Sequence, residues 1–226
     1  MNKKTNISGK GVITPKGIIF HRKAERVISN LKKRRIEGIY CANSRLAVSE
    51  ICTRIPERSL VALAGSETIL ESGLVDALRK LNINLLDRYR AGVTKNKVDE
   101  MRLKGLNADI YIASSNAVTA DGKLVNMDGI GNRVAGMIFG PKKVILMVGM
   151  NKVVNNVEEA IARIKMVAAP MNSIRSGKKT PCARLGFCND PYCSPPNRIC
   201  SQLVIIESNM IPDRITVVLV GEDLGY

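Results

Sequence analysis

The sequence contains little of several residue types on which common functions depend. Of its 226 residues only 4% are aromatic, none is tryptophan, and His21 is the single histidine. Nothing near His21 suggests a nucleophile or an orienting acid, which argues against Ser-His-Asp or Cys-His catalysis. No apolar run reaches the length that a membrane-spanning helix needs. The basic N-terminus is followed by no apolar segment or cleavage site typical of secretion, so we expect a cytoplasmic protein without a membrane span.

Positive charge, in contrast, is abundant. The chain has 35 Lys and Arg against 20 Asp and Glu, a net charge of +15. Residues 1–35 hold eleven of the basic residues and only Glu25 against them. Basic arms that bind nucleic acid have this composition, but the low aromatic content argues against stacking on bases. A solvated basic face, or attraction of a polyanionic substrate or an acidic partner protein, is the favoured use of the charge.

Short apolar runs alternate with helical patterns along most of the chain. The patterns predict strands at 39–42, 60–64, 84–86, 109–113, 143–148, 203–207 and 214–220. They predict helices at 21–35, 45–54, 74–81, 95–106, 131–140 and 158–169, the last ending before Pro170. This alternation indicates an α/β fold with a mostly parallel sheet covered by helices. We expect a basic arm at 1–20 and a single domain at 21–226, with a cysteine-rich excursion at 170–200 inside it.

Polar, glycine-bearing segments at 65–68, 116–122 and 126–133 are candidates for a ligand crevice. Gly, Asn and Asp supply turns and exposed backbone N–H groups at strand ends, where open α/β sheets bind ligands. The Gly65-Ser66-Glu67-Thr68 segment follows an apolar run and starts a helix, a position that favours an anion. Ordinary turns are the alternative interpretation of these segments, and a Ser helix cap explains Gly65-Ser66-Glu67-Thr68 equally well.

These segments contain side chains suited to an anionic ligand and to proton transfer. Arg133 can make paired hydrogen bonds to a carboxylate or phosphate. Asp121 and Asp128 can act as acid and base if burial raises their pKa, with turn capping as the alternative. The predicted ligand-binding residues are Gly65, Ser66, Thr68, Asn116, Thr119, Asn126, Gly129, Gly131, Asn132 and Arg133.

A cluster of cysteines forms a second candidate site. Cys182, Cys188, Cys193 and Cys200 fall within nineteen residues rich in Pro and Gly. Four converging thiolates can bind zinc or an iron–sulfur cluster, although the spacing matches neither ferredoxins nor zinc ribbons. Reduced structural thiols are the alternative, and disulfides are disfavoured without a sign of export. Basic side chains that can offset thiolate charge flank the loop at Lys178, Lys179, Arg184 and Arg198.

Several motifs together resemble one known family. They are Gly65-Ser66-x-Thr68, the central NAVTADGKLVNMDGIGNRVAGMIFGPKKVILMVGMNKVV, the loop TPCARLGFC…RIC and the closing RITVVLVGEDLGY. In this order, from about residue 20 to the end, they look like the LUD-domain family of lactate utilisation proteins. The resemblance implies a fold similar to the ribose-phosphate isomerase, glucosamine-phosphate isomerase and CoA-transferase group. It also implies a part in the oxidation of L-lactate to pyruvate, often beside iron–sulfur partner proteins.

Two functions are therefore expected. The first is a component of lactate oxidation that binds an anionic carboxylate, phosphate or CoA-type compound in the crevice. The alternative is an iron–sulfur or zinc-binding redox or assembly protein that acts through the Cys182–Cys200 loop. Whether a reaction occurs on this chain is left open, as is its assembly into a homo-oligomer.

Overall fold

The computed structural model describes residues 14–188 and 193–226, so residues 1–13 of the predicted basic arm lie outside the described residues. The strands are β1 Glu37–Cys41, β2 Leu60–Leu63, β3 Asn84–Leu86, β4 Ile110–Ala113, β5 Ala117–Thr119, β6 Leu124–Asp128, β7 Lys143–Gly149, β8 Val153–Val154, β9 Gln202–Ile206 and β10 Ile215–Val220. The α-helices are α1 Pro15–Lys33, α2 Ser44–Thr53, α3 Glu67–Glu71, α4 Leu74–Leu78, α5 Lys95–Gly105, α6 Asn132–Ile138, α7 Val157–Arg163, α8 Ala169–Arg175 and α9 Pro181–Leu185.

The main sheet has six strands in the order β1-β10-β7-β4-β2-β3, and every neighbouring pair is parallel. The apolar runs that predicted buried strands form its centre, where β10 and β7 pair from Ile215↔Val144 to Val220↔Gly149. All six residues of β10 are buried, as expected for a strand covered on both faces. The predicted α/β class with a mostly parallel sheet is therefore confirmed.

Helices cover both faces of this sheet. On one face α1 buries Ala24, Val27 and Leu31, whose spacing places them along one side of the helix. On the opposite face α2, α3 and α4 pack their apolar side chains, including Ile51 and Leu74, against the same strands. The basic residues of α1 are consequently on its solvent side.

Helix α1 begins six residues before the predicted start at His21. The Thr14 side chain accepts a hydrogen bond from the Gly17 N–H, and Pro15 occupies the first turn, where its missing N–H is harmless. Residues 15–20, expected in the arm, therefore belong to a helix. No helix among the described residues combines the length and the apolar character needed to cross a bilayer.

A second sheet, β8-β5-β6-β9, contains the central polar segments. The sequence predicted turns at 116–122 and 126–133, but residues 117–119 and 124–128 form an antiparallel hairpin. Val118, Leu124 and Val125 are fully buried, and β6 gains a second partner in β9. These contacts between distant parts of the chain outweigh the local preference of Asn, Asp and Gly for turns.

Pro170 does not end the helix that precedes it. A π-helical turn at Ile164–Ala168 changes the hydrogen-bonding register directly before Pro170, and α8 continues to Arg175. A proline is tolerated where the register changes because its missing N–H falls outside the regular ladder. The irregular part of the predicted 170–200 excursion therefore begins only after α8, and it contains the short helix α9.

Candidate functional site

A cavity of about 500 Å³ opens at the carboxyl ends of the parallel strands. Five of the main-sheet strands are each followed by a residue that lines this cavity. These residues are Gly65 after β2, Arg88 after β3, Ser114 after β4, Lys152 after β7 and Tyr226 after β10. The carboxyl edge is where open α/β sheets bind ligands. The cavity therefore lies where the sequence predicted a crevice. Its lining also includes residues after β3, β7 and β10, which lie outside the predicted polar segments.

The predicted site residues divide into two groups. Those that line the cavity are Gly65, Ser66, Asn116, Asp128, Gly129, Asn132 and Arg133. The others, none of them part of its lining, are Thr68, Thr119, Asp121, Asn126 and Gly131. Thr68 and Asn126 are nevertheless fully buried, and each hydrogen-bonds a lining residue.

Asp121 lies in the hairpin turn between β5 and β6, where it contacts α1. Its carboxylate is 2.7 Å from Arg34 Nη2 and 3.8 Å from Lys123 Nζ, and its side chain is half exposed. Partial burial raises the pKa of Asp121, but the Thr119 hydroxyl bond and the charges of Arg34 and Lys123 outweigh it, so the pKa is lowered. The condition for its predicted acid–base role, a pKa raised by burial, is not met.

Asp128 lines the cavity, but backbone groups occupy its carboxylate. It accepts hydrogen bonds from the N–H groups of Gly129 at 2.7 Å and of Arg133 and Val134 at 3.1 Å each. The last two belong to the first turn of α6, whose cap residue, Gly131, has no side chain to offer. Asp128 therefore caps α6 and fixes the loop at this edge of the cavity.

The Arg133 side chain hydrogen-bonds several segments of the site to one another. Its Nη1 donates to Ser114 O at 3.0 Å and Asn126 Oδ1 at 2.6 Å, and its Nη2 donates to Asn116 Oδ1 at 2.8 Å and Met127 O at 2.9 Å. These bonds use the four terminal N–H donors of the guanidinium. Burial lowers the pKa of Arg133, yet a guanidinium stays charged. Arg133 thus holds β4 and β6 together and contributes positive potential, while its predicted paired contact with a ligand stays a prediction.

The backbone N–H groups expected to receive an anion at Gly65–Thr68 are partly occupied. The Ser66 N–H donates to Tyr89 Oη at 2.7 Å, and the Tyr89 hydroxyl donates to Ala64 O at 2.9 Å. Ser66 itself caps α3, which is only five residues long. The positive character of the cavity therefore comes mainly from side chains, not from these turns.

Arg88, which sequence reasoning did not select, is a lining cation without an anionic partner among the described residues. It makes no hydrogen bond or ion pair with any of the residues in the described ranges; its guanidinium lies 6.0 Å from the Tyr89 ring centroid. Burial lowers the pKa of Arg88, and the like charges of Arg102 and Arg175 act in the same direction. An arginine beside two others and without a carboxylate partner favours a bound anion. Its position just after β3 was the only signal in the sequence.

The charged lining as a whole is unbalanced. It comprises the cations Arg88, Arg102, Arg133, Lys152, Arg175, Lys178 and Arg198 and the anions Glu67 and Asp128. The Glu67 carboxylate is 3.1 Å from Arg175, and Asp128 is bound by backbone N–H groups, so both anions already have partners. A cavity of this kind attracts and stabilises negative charge.

Lys152 was also missed by sequence reasoning. It is 3% exposed, and its Nζ donates to Thr68 Oγ1 at 2.6 Å and to Ser114 Oγ at 3.3 Å. The pKa of Lys152 is lowered to about 7, mainly by burial and also by the charges of Arg163 and Arg133, which together outweigh the opposing effect of Glu71. A large fraction of this amine is therefore neutral near pH 7.

The four clustered cysteines line one small cavity of about 40 Å³. Cys182 is buried on α9 and contacts Ser173 Oγ at 3.7 Å, and Cys182, Cys188 and Cys200 are free thiols. The pKa of Cys200 is raised to about 11, mainly by burial and also by Cys182, Cys188 and Cys193, against the opposing charge of Arg198. Within residues 14–188 and 193–226, no three His, Cys, Asp or Glu side chains are arranged to hold a metal ion. The loop therefore gathers the four cysteines around one small cavity.

The two cavities share a wall. Both are lined by Met127, Ala169, Arg198, Ile199 and Cys200. The Arg198 guanidinium donates to the carbonyl oxygens of Cys193 at 2.7 Å and Cys200 at 2.9 Å, which ties the loop to this wall. The cysteine-rich excursion is thus part of the enclosure of the larger cavity.

The fold and cavity define an α/β protein with a cationic pocket at the carboxyl edge of a parallel sheet. The LUD domain model matches residues 24–220, and the chain belongs to the LUD domain family. Among solved structures, a DUF162 family protein from Deinococcus radiodurans, determined at 1.70 Å resolution, is 13% identical; the match covers 92% of this chain and 99% of that chain, with a TM-score of 0.48. No curated protein matches the sequence significantly.

Proposed function

We propose that the chain binds an anionic small molecule in the 500 Å³ cavity and serves as a component of L-lactate oxidation to pyruvate. The main support is the unbalanced lining, in which Arg88 has no carboxylate partner among the described residues. The family's association with lactate utilisation supports the choice of a carboxylate ligand. Phosphate and CoA-type compounds carry the same charge and belong to the same proposal.

The chemistry of lactate oxidation limits the part that this chain takes. Conversion of lactate to pyruvate removes a pair of electrons and two protons, so an electron acceptor is required. Iron–sulfur partner proteins, with which the family is associated, are the proposed source of that acceptor. This chain then contributes the binding site and its electrostatic environment.

Thermal shift with matched ligands tests the proposal. We expect at least one of lactate, pyruvate, a sugar phosphate and a CoA compound to raise the Tm, because a ligand that binds only the folded state stabilises it. The matched neutral compounds, lactamide and the unphosphorylated sugar, should not raise it. Equal shifts with charged and neutral compounds, or no shift across the panel, would count against anion binding.

A second function, zinc or iron–sulfur binding by the cysteine loop, is supported by the four cysteines around one 40 Å³ cavity. Thiols are the donors that both kinds of centre use. Because the described thiols are not arranged to hold an ion, this proposal requires that metal binding draw them together.

Anaerobic purification followed by metal analysis tests this second function. Brown protein with iron and sulfide indicates a cluster, and colourless protein with stoichiometric zinc indicates a zinc site. Cys188→Ser and Cys200→Ser should lose the metal, whereas Cys52→Ser, a cysteine on α2 outside both cavities, should retain it. Metal-free protein under these conditions removes the proposal.

A further inference from the structure

Lys152 lies in the wall of the 500 Å³ cavity. It lies in the helical turn Met150–Lys152, immediately after the buried strand β7. The side chain lines the cavity, yet only 3% of the residue is exposed, so its Nζ approaches the space from a largely dry wall. The two hydroxyl groups that receive its N–H bonds, Thr68 and Ser114, follow β2 and β4.

A purely structural role explains Lys152 poorly. A buried ammonium is costly unless a carboxylate pairs with it, and Lys152 has no ion pair with any described residue. The carboxylate that acts on it electrostatically, Glu71, instead accepts the Gly225 N–H at 2.6 Å. The charged groups facing Lys152 are otherwise Arg163 and Arg133, which disfavour a second positive charge. A residue such as methionine would fill this position at lower cost.

We propose that Lys152 is a nucleophile that forms an imine with the carbonyl carbon of a 2-oxo acid or other carbonyl-bearing anion in this cavity. The proposal rests on the anion binding proposed above and specifies a class of ligand for it. The Nζ lone pair attacks the carbonyl carbon, and the C=O π electrons move to oxygen. Proton transfer from nitrogen to oxygen gives a neutral carbinolamine, which loses water to form the imine. Amine and carbonyl give imine and water, and no oxidant or reductant takes part.

The neighbouring groups suit each stage of this reaction. Thr68 and Ser114 hold Nζ by hydrogen bonds, and their hydroxyls can pass a proton between nitrogen and the carbinolamine oxygen. The pKa of Lys152, about 7, leaves much of the amine nucleophilic under neutral conditions. Arg88 and Arg175, on the same cavity, provide positive charge for the carboxylate or phosphate of the ligand.

Borohydride trapping tests the proposal directly. The intact protein is incubated with pyruvate, or with a sugar phosphate that has a free aldehyde, and then reduced with sodium borohydride. We expect a single adduct, located at Lys152 by peptide mass mapping, with a rate that rises as pH increases through about 7 and then levels off. Lys152→Met and Lys152→Arg should abolish the adduct, whereas Lys104→Ala, an exposed lysine on α5 outside the cavity, should retain it.

The outcomes separate this inference from anion binding. Folding of the variants is checked by circular dichroism, and ligand binding by the Tm shift with lactate, which has no carbonyl to trap. A lactate shift without any adduct at Lys152 overturns the imine and leaves anion binding intact. Adducts distributed over many lysines, or unchanged labelling in Lys152→Met, also overturn it. An adduct at Lys152 without a lactate shift supports the imine and counts against lactate as the ligand.

Discussion

The two ends of the β5–β6 hairpin have similar compositions but different surroundings. At its open end, Asn116 and Asp128 line the 500 Å³ cavity, and Arg133 links them to β4. At its turn, Asp121 and Gly122 pack against α1 instead. Asn, Asp and Gly therefore line a cavity at one end and form a helix contact at the other. The difference arises from the strands that flank each end, since only the open end meets the carboxyl edge of the main sheet.

The largest expected effect is at the open end, in Arg133→Met. This change leaves the side-chain oxygens of Asn116 and Asn126 and two carbonyl oxygens without their charged donor. We expect a loss of about 3–5 kcal/mol in the free energy of unfolding, measured by urea denaturation, together with loss of the ligand-induced Tm shift. A loss below about 1 kcal/mol would show that the hydrogen bonds of Arg133 contribute little to holding these segments together.

Gly122→Ala should damage the turn end and spare the cavity. Gly122 has a φ of +88°, and a Cβ there would lie 2.8 Å from the Leu31 N and 2.9 Å from the Asn30 carbonyl carbon. We expect a destabilisation of about 2 kcal/mol in urea denaturation, because strain and close backbone contacts combine. Gly177→Ala, also at positive φ but with open space around it, is the control for strain alone. Loss of the ligand-induced Tm shift in folded Gly122→Ala would contradict the separation of the two ends.

Lys152→Met should show an effect on stability that depends on pH. The folded-state pKa, about 7, is below the ordinary value of 10.5, so the folded protein bears the full cost of a buried charge below pH 7. That cost decreases as pH rises from about 7 and is gone above about 10.5, where both states are neutral. We expect Lys152→Met to be more stable than wild type by about 1–3 kcal/mol at pH 6, with the difference shrinking by pH 9. A difference independent of pH between 6 and 9 would contradict a lowered pKa.

The smallest expected effect is that of Asp121→Asn at the turn end. Its ion pairs with Arg34 and Lys123 are partly exposed, so their loss should cost about 0.5–1 kcal/mol at low salt and less at high salt. Because Asp121 lies outside the cavity, the ligand-induced Tm shift and the Lys152 adduct should be unchanged. A lost shift in this variant would show that Asp121 acts on the cavity and would contradict the separation of the two ends.

The strands and helices that could be predicted from the sequence are those whose conformation is indicated by the pattern of apolar residues within the segment itself. The short apolar runs of β2 and β10 favour buried strands, and the 24, 27, 31 spacing of α1 gives one buried face. The β5–β6 hairpin was missed because its strands are stabilised by β8 and β9, which are distant in the sequence.

The same reason explains which site residues were found. Gly65 and Asn116 were identifiable because turn-forming residues follow apolar strands. Arg88 and Lys152 resemble ordinary surface cations in sequence, and only the order of the strands brings them together at one edge. The sequence also could not reveal that the Ser66 N–H donates a hydrogen bond to the Tyr89 hydroxyl, or that the Asp128 carboxylate accepts hydrogen bonds from the first turn of α6.

Calorimetric titration of wild type and Arg88→Ala with the anion that gives the largest Tm shift tests the central claim most directly. Arg45→Ala, an exposed arginine on α2 outside the cavity, is the matched control. We predict saturable binding of one anion per chain in the wild type, with unchanged affinity in Arg45→Ala. In Arg88→Ala the affinity should fall about tenfold or more, because a hydrogen-bonded charge pair contributes at least about 1.5 kcal/mol. Equal affinity in all three proteins, or no saturable binding of any anion, would contradict the account.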